Sequence, residues 1–377
     1  MSGNYQSVGT PMIVCSYSKQ LIARGMVTKD DILFTHNNDA IFDHYEDIEQ
    51  SLMSVFNLKP SISKYMVDTE QENSWLSIKL KGIEKLITNK DGTLNTGMFP
   101  NFCAILGHNM KSAAYRSWIT IHNETQNLEW SAATDGSVHA GININANTHS
   151  AEARNGFTTM GMSYGYTYKP YSIGDELSIK FVALLNEGTA LEFPTIGSAL
   201  IGYKYEFPYS PDLSCTISRD YDYDVYKSHS GSRFSTGYGN NPFWLNNTLE
   251  PWSLTQAHQF ETSTKLQTLG GARSWKISFT MLDEEDMFAE NTLTTTLSEM
   301  GVAGENANYA SIATSDSFMR VLYHTDGGRL PFLFCANKQK EKYPDNWAIC
   351  RMDMKSFAVR QIADKKYNIT LDIYETW

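Results

Sequence analysis

Cysteine is sparse in this chain, and no two cysteines form a C-x-x-C pair. Cys15, Cys103, Cys215, Cys335 and Cys350 are the five in 377 residues. Their spacing excludes a zinc ribbon and a thioredoxin-type redox motif. The odd count fits reduced, mostly buried thiols that act as small hydrophobes. Cys335 and Cys350 fall on neighbouring strand candidates, where two buried thiols are a simpler reading than a bridge. Charge is scarce too: Asp, Glu, Lys and Arg are 19% of residues, below the usual quarter. The shortfall is mainly basic, and the net charge is −11. That excludes the basic footprint which non-specific nucleic-acid binding needs. No apolar run approaches the ~18 residues of a membrane span. Met1 to Tyr5 shows neither the basic start nor the apolar core of a signal peptide. The expected place of synthesis is a cytoplasm. The histidines never stand at i, i+4 or in H-E-x-x-H, and there is no P-loop and no G-x-G-x-x-G. Neither a metal nor another cofactor is expected.

Aromatics, by contrast, are plentiful at 12%, including 21 Tyr. Together with abundant Asn, Ser, Thr and Gly they suit β-sandwiches and large wet interfaces. The length predicts two domains or a little more. Residues 1–75 read as an arm or extension. It holds a short strand candidate, Met12 to Cys15, and an Asp43 to Phe56 stretch that suits a helix or a strand-flanking arm. Residues 76–208 read as one β domain. Leu76 to Leu80, Phe102 to Leu106, Ser117 to Asn123, Leu177 to Leu184 and Ile196 to Pro208 are short strands between turn signals. Residues 209–260, rich in Tyr and Gly, read as an extended connection.

Residues 261–377 read as the second domain. Trp275, Ile277 and Phe279 share a strand face. Phe318 to Tyr323 has helical spacing after a Ser315-Asp316 start signal, and Asp326-Gly327-Gly328 stops it. Leu330 to Ala336 is a continuous apolar run, as in a strand covered on both faces. Trp347 to Met354 is the next strand. Phe357 to Ile362 and Tyr367 to Tyr374 form a hairpin about Asp364-Lys365-Lys366. On the last strand Tyr367, Ile369, Leu371 and Ile373 point one way. Asn368, Thr370, Asp372 and Tyr374 point the other, so this second set is the candidate subunit-interface strand face.

Catalytic motifs are weak. Gly161-Met162-Ser163-Tyr164-Gly165 matches G-x-S-x-G, but a nucleophile elbow needs a helix next. Tyr166 to Tyr171 is β-like and carries Pro170, so a glycine-flanked strand or loop is the better reading. Asp220, Asp222 and Asp224 alternate with tyrosines, and on one strand they would line a face. They lack the glycine and terminal glutamate of an EF-hand loop, so a solvated face is expected. Asp283-Glu284-Glu285-Asp286 reads as an exposed loop or helix start. His108 and Asn109, at a strand end, are the ligand-loop candidates; the plainer reading is a turn satisfying local backbone. The chain is not expected to be an enzyme.

Two stretches carry a family resemblance. The strand ending in Ala104-Ile105-Leu106-Gly107-His108-Asn109, and later Ile196 to Gly202, resemble discoidin-like, galactose-binding jelly rolls. The run from Arg273 to Phe279 through Leu330 to Phe334, Pro344 to Asn346, Arg351 to Met354 and Tyr367 to Trp377 is similar to tailed-bacteriophage tail proteins. In layout it is similar to the tail-tube-like belt domain of distal tail proteins. The resemblance implies a mainly β chain: an N-terminal jelly-roll sandwich, then a C-terminal tail-tube-like sandwich or barrel with one helix. It implies a virion tail or baseplate component, assembled in the host cytoplasm, that forms a ring of expected six copies. Its partners would be itself, the tail tube, baseplate or tail-tip proteins and host glycans, with no membrane and no sequence-specific nucleic acid. A carbohydrate-binding tail adhesin and a tail-associated polysaccharide hydrolase are the alternatives. One departure stands out: distal tail proteins carry the belt domain first, whereas here the sandwich comes first.

Overall fold

The computed structural model describes residues 8–36, 53–58, 64–65, 75–81, 102–108, 115–123, 128–129, 161–166, 176–183, 195–220, 224–227, 229–230, 233–236, 271–288, 316–341, 346–353 and 357–376. The described chain is mainly β. Its strands are β1 (Met12–Ser16), β2 (Ile32–His36), β3 (Lys64–Tyr65), β4 (Trp75–Lys81), β5 (Phe102–His108), β6 (Tyr115–Asn123), β7 (Leu128–Glu129), β8 (Gly161–Tyr166), β9 (Glu176–Ala183) and β10 (Thr195–Ile196). They continue with β11 (Ser198–Glu206), β12 (Thr216–Asp220), β13 (Asp224–Lys227), β14 (Arg233–Thr236), β15 (Ala272–Asp283), β16 (Phe332–Cys335), β17 (Trp347–Met352), β18 (Arg360–Ala363) and β19 (Lys366–Glu375). Three short helices join them: α1 (Tyr17–Ala23), α2 (Glu284–Met287) and α3 (Phe318–His324).

One ten-stranded antiparallel sheet dominates, in the order β12-β15-β19-β17-β16-β1-β11-β5-β8, with β18 added against β19. A five-stranded sheet runs β2-β4-β9-β6-β7, and β3–β10 and β13–β14 are two-stranded pairs. The large sheet draws strands from all four predicted segments, and the expected boundaries at 75/76, 208/209 and 260/261 are crossed by its ladders. Strand β1 makes this possible. Its Met12 to Ser16 pair with Glu206 to Gly202 of β11, and its Met12 to Val14 pair with Cys335 to Leu333 of β16. All five residues of β1 are buried. Fully burying a residue such as Val, Ile or Met is worth roughly 1.5–3 kcal/mol. Met12, Ile13 and Val14 alone therefore contribute a gross stabilisation comparable with the net stability of a whole domain, ~5–15 kcal/mol. Strands this central are apolar on both faces.

Where β1 meets β11 the backbones come very close. A Cβ on Gly202 would overlap the Cys15 carbonyl oxygen, so only glycine fits there.

The two faces of the sheet carry separate apolar clusters. Met12, Val14, Phe102, Leu106, Tyr164, Leu333, Trp347 and Ile349 form one. The other is larger and includes Ile13, Cys15, Trp275, Phe279, Phe332, Leu371 and the buried sides of α1 and α3. Along β15 and β19 only this second face is covered, and β12 is exposed. Along β19 Tyr367, Ile369, Leu371 and Ile373 are buried, and Thr370 and Tyr374 are exposed, matching the alternation read from sequence.

Local signals explain the helices. Ser16 caps α1, its hydroxyl accepting from the Lys19 amide at 3.1 Å. Gly25, at φ 66°, ends it, and the Met26 amide donates back to the Leu21 carbonyl. Helix α3 ends as its sequence predicts. Gly327 and Gly328 take φ 70° and 84°, and the Gly327 amide donates to the Leu322 carbonyl at 2.8 Å. Asp283 starts α2 through a capping box with Asp286, as expected for that acidic run.

Candidate functional site

Two places concentrate side chains that packing alone does not require: the seam between α1 and α3, and the exposed end of the large sheet. At the seam Tyr17, Gln20, Tyr203, Arg320 and His324 are all at most 5% exposed. Arg320 donates to the Tyr17 hydroxyl at 3.0 Å, and its guanidinium lies 3.6 Å from the Tyr203 ring centroid. That combines a charge-assisted hydrogen bond with a cation–π contact. The Tyr203 hydroxyl donates to the Asp316 carboxylate. The helix start signal therefore makes a tertiary bond: Ser317, the N-cap of α3, makes no capping bond with its side chain. Burial pushes the Tyr17 and Tyr203 hydroxyls up, so both stay protonated donors.

His324 stacks tilted against Tyr17, with centroids 4.7 Å apart, and its Nδ1 lies 2.8 Å from Gln20 Oε1. The Gln20 amide nitrogen donates to the Tyr323 carbonyl at 3.0 Å. At the rim Arg24 pairs with Asp326 at 2.8 Å and lies over the Tyr323 ring. These groups come from residues over 300 positions apart in sequence. Inside the rim pair, Tyr17, Gln20, Tyr203, Arg320 and His324 are sealed from solvent, so the seam cannot admit a substrate without moving a helix. Its chemistry is that of a clamp.

A second sealed pair closes the other end of the core. Arg273 Nε donates to Glu375 Oε1 at 2.7 Å, the Arg273 amide to Oε2 at 2.6 Å, and Arg273 Nη2 to the Trp347 carbonyl at 3.0 Å. Both side chains are fully buried.

The exposed end is built differently. Tyr209 donates to the Thr280 carbonyl at 2.7 Å, the Asp212 amide to the Ser278 carbonyl at 2.8 Å, and the Thr280 hydroxyl to the Asp212 carboxylate at 2.9 Å. These bonds pin the 209–212 loop along β15. The next residues out from this anchor, Leu213 and Met281, are apolar and exposed, Leu213 fully and Met281 by 55%. Met281 has φ 68° at a break in the β15–β19 register between Phe279 and Leu282. A non-glycine residue there is strained, and bulges of this kind re-aim side chains near functional surfaces. Ile217 on β12 is exposed as well. Among the described residues no strand pairs with the outer edge of β12.

The face beside this edge carries the predicted interface residues. Asn368, Thr370, Asp372 and Tyr374 stand on the outward side of β19. Asn368 Oδ1 accepts from the Met281 amide at 3.3 Å, and Thr370 shares a 3.0 Å hydrogen bond with Ser278. Asp372 lies 3.8 Å from Lys276, an exposed pair of little weight. Strand β19 has β15 on one side and β17 and β18 on the other. These four residues therefore lie on a face, and among the described residues the unpaired edge at this end of the sheet is that of β12.

The remaining candidates scatter. His108 is the last residue of β5, opposite Gly161 after a register break. Asn109 and Asp222 lie outside the described residues. Ser163 sits in mid-strand opposite Ile105, away from any strand-to-helix turn. Asp220 closes β12 and Asp224 opens β13, so these two carboxylates belong to different strands. Cys335 and Cys350 are buried, form no disulfide, and belong to clusters on opposite faces of the sheet. Burial pushes the Cys15 thiol up to about 12, which leaves it inert.

Sequence reasoning missed both the seam and the Leu213–Met281 anchor. A signal for the seam existed: Arg320 and His324 stand four residues apart in an otherwise apolar helix, which places two polar groups on one face. No comparable signal marks Met281.

Among the described residues no group of His, Cys, Asp or Glu could hold a metal ion. Among them, too, no helix is long and apolar enough to cross a membrane. No protein-family model, curated protein or solved structure matches the chain.

Proposed function

We propose that this chain is a structural virion protein of a tailed phage, a distal-tail-like tail or baseplate component. In this reading copies of the chain associate side by side into a ring, expected to hold six, which docks the tail tube and tail-tip proteins. The 261–377 segment is the tail-tube-like part. The 76–208 strands form the galactose-binding-like sandwich, and the five-stranded sheet, which also takes in β2 from the preceding segment, is one of its leaves. The chain works by assembly, not catalysis.

One observation carries the reading: the Leu213–Met281 anchor beside the open β12 edge. Exposed apolar side chains held outward by three hydrogen bonds, next to a strand edge that no described strand pairs, suit a surface that another chain covers. A second copy of this chain is the occupant. Obligate homomeric contacts of this kind bury upwards of ~2,000 Å², and the Ser, Thr and Asn face of β15 and β19 extends the surface beyond the edge. The sealed Arg320 and Arg273 clusters support the same reading, because they spend the buried polar chemistry on rigidity.

Light scattering coupled to gel filtration, with negative-stain microscopy, tests the proposal. Wild-type protein at micromolar concentration is expected as a closed oligomer. Leu213→Asp with Met281→Asp is expected to yield monomers that still unfold cooperatively, since both side chains are exposed in the single chain, at a melting temperature lowered only by the loss of association. A wild-type monomer at these concentrations would overturn the assembly reading.

A further inference from the structure

The α1–α3 seam holds an imidazole whose surroundings fix its tautomer. Gln20 donates through its amide nitrogen to the Tyr323 carbonyl, so the oxygen of the same amide faces His324 Nδ1. An oxygen can only accept, so Nδ1 carries the proton. Nε2 is then the basic nitrogen. It is buried and has no hydrogen-bond partner among the described residues.

We propose that the α1–α3 contact is an acid-released latch, opened when a proton reaches His324 Nε2. Protonation there creates a buried N–H with no acceptor and a second cation beside Arg320. Among the described residues, the polar and titratable groups of the seam come from four elements. From α1 come Tyr17, Gln20 and Arg24; from α3 come Arg320 and Tyr323; from β1 comes Cys15, whose Sγ points at the Val321 carbonyl. Strand β11 supplies Tyr203. Asp316 and Asp326 are the acids at the two ends of α3, and they are engaged by Tyr203 and by Arg24 and Arg329. Among the described residues no carboxylate is bonded to the imidazole to offset the new charge. Burial first, then Arg320 and Arg24, hold the His324 pKa well below its usual value.

The sign follows from linkage. Above the ordinary imidazole value of about 6.5, the closed and open seams are both neutral at His324, and the contact keeps its full strength. As pH falls below 6.5 the open seam takes up a proton that the closed seam refuses. Opening then becomes more favourable by up to about tenfold per pH unit, until the closed form also protonates.

Hydrogen exchange followed by mass spectrometry on the full chain, corrected for intrinsic rates, tests this between pH 7.5 and 5. Amides of α1 and α3 are expected to lose protection about tenfold per unit below pH 6.5 while β16 and β19 keep theirs. His324→Gln, which cannot titrate, is expected to flatten that dependence. Should the variant fail to fold, the imidazole titration of the wild-type protein decides by NMR. A His324 midpoint well below 6.5 supports the latch. A midpoint near 6.5, or seam protection that does not change with pH, overturns it.

Discussion

At the scale of single residues, the buried charges carry the clearest consequences. Arg273 and Glu375 meet across the β15–β19 ladder with both side chains sealed. Removing one partner strands the other in the core, which typically costs ~3–5 kcal/mol. Glu375→Gln is therefore expected to lower the unfolding free energy by that amount, read as a fall in the urea midpoint at unchanged slope. The paired change Arg273→Met with Glu375→Leu is expected to cost less than the single one, since it removes both charges. Neither partner was legible as half of a pair. Each sits at a strand end, and the ladder that joins them links residues 102 positions apart. Arg320 shows the same limit. It reads as one polar residue within Phe318 to His324, and only the arrival of Tyr17 and Tyr203 explains its burial.

Elements were more legible than pairings. The alternation on β15 and β19, the apolar run of β16 and the glycine stop of α3 all rest on periods and turn chemistry within a dozen residues. Their structures match. Helix α1 escaped notice because Tyr17 to Ala23 is short and its cap, Ser16, also belongs to a strand. The β19 register yields a direct contrast. Leu371 is fully buried and Thr370 is exposed. Leu371→Asp places a charge in the core and is expected to abolish cooperative unfolding in a thermal melt. Thr370→Ala forfeits one exposed hydrogen bond to Ser278, worth at most ~1 kcal/mol. Thr370→Pro is different again. Strand β19 is interior, so losing a ladder N–H there weakens the fold whether or not copies associate.

For the molecule as a whole, the controlling fact is the central position of β1. The sheet continues from β16 through β1 to β11, so the early and late parts of the sequence share one hydrogen-bonded layer. Val14→Pro, in the middle of β1, is expected to destabilise both flanks together. Limited proteolysis should then cut 198–206 and 332–352 at similar rates, where independent units would leave one of them resistant. This continuity is what the sequence could not reveal. Local patterns mark a strand and its buried face, but nothing local names a neighbour hundreds of residues away.

The same position of β1 sets a timetable for synthesis. Met12 emerges more than 300 residues ahead of its partner Cys335. At ~5–20 residues per second, the apolar segment Met12 to Cys15 waits for roughly 15–60 s before its second neighbour exists. Sheets closed by such distant pairings form slowly. A nascent chain of this design depends on being shielded while it waits. One released before β16 has been made lacks an inner strand of its largest sheet.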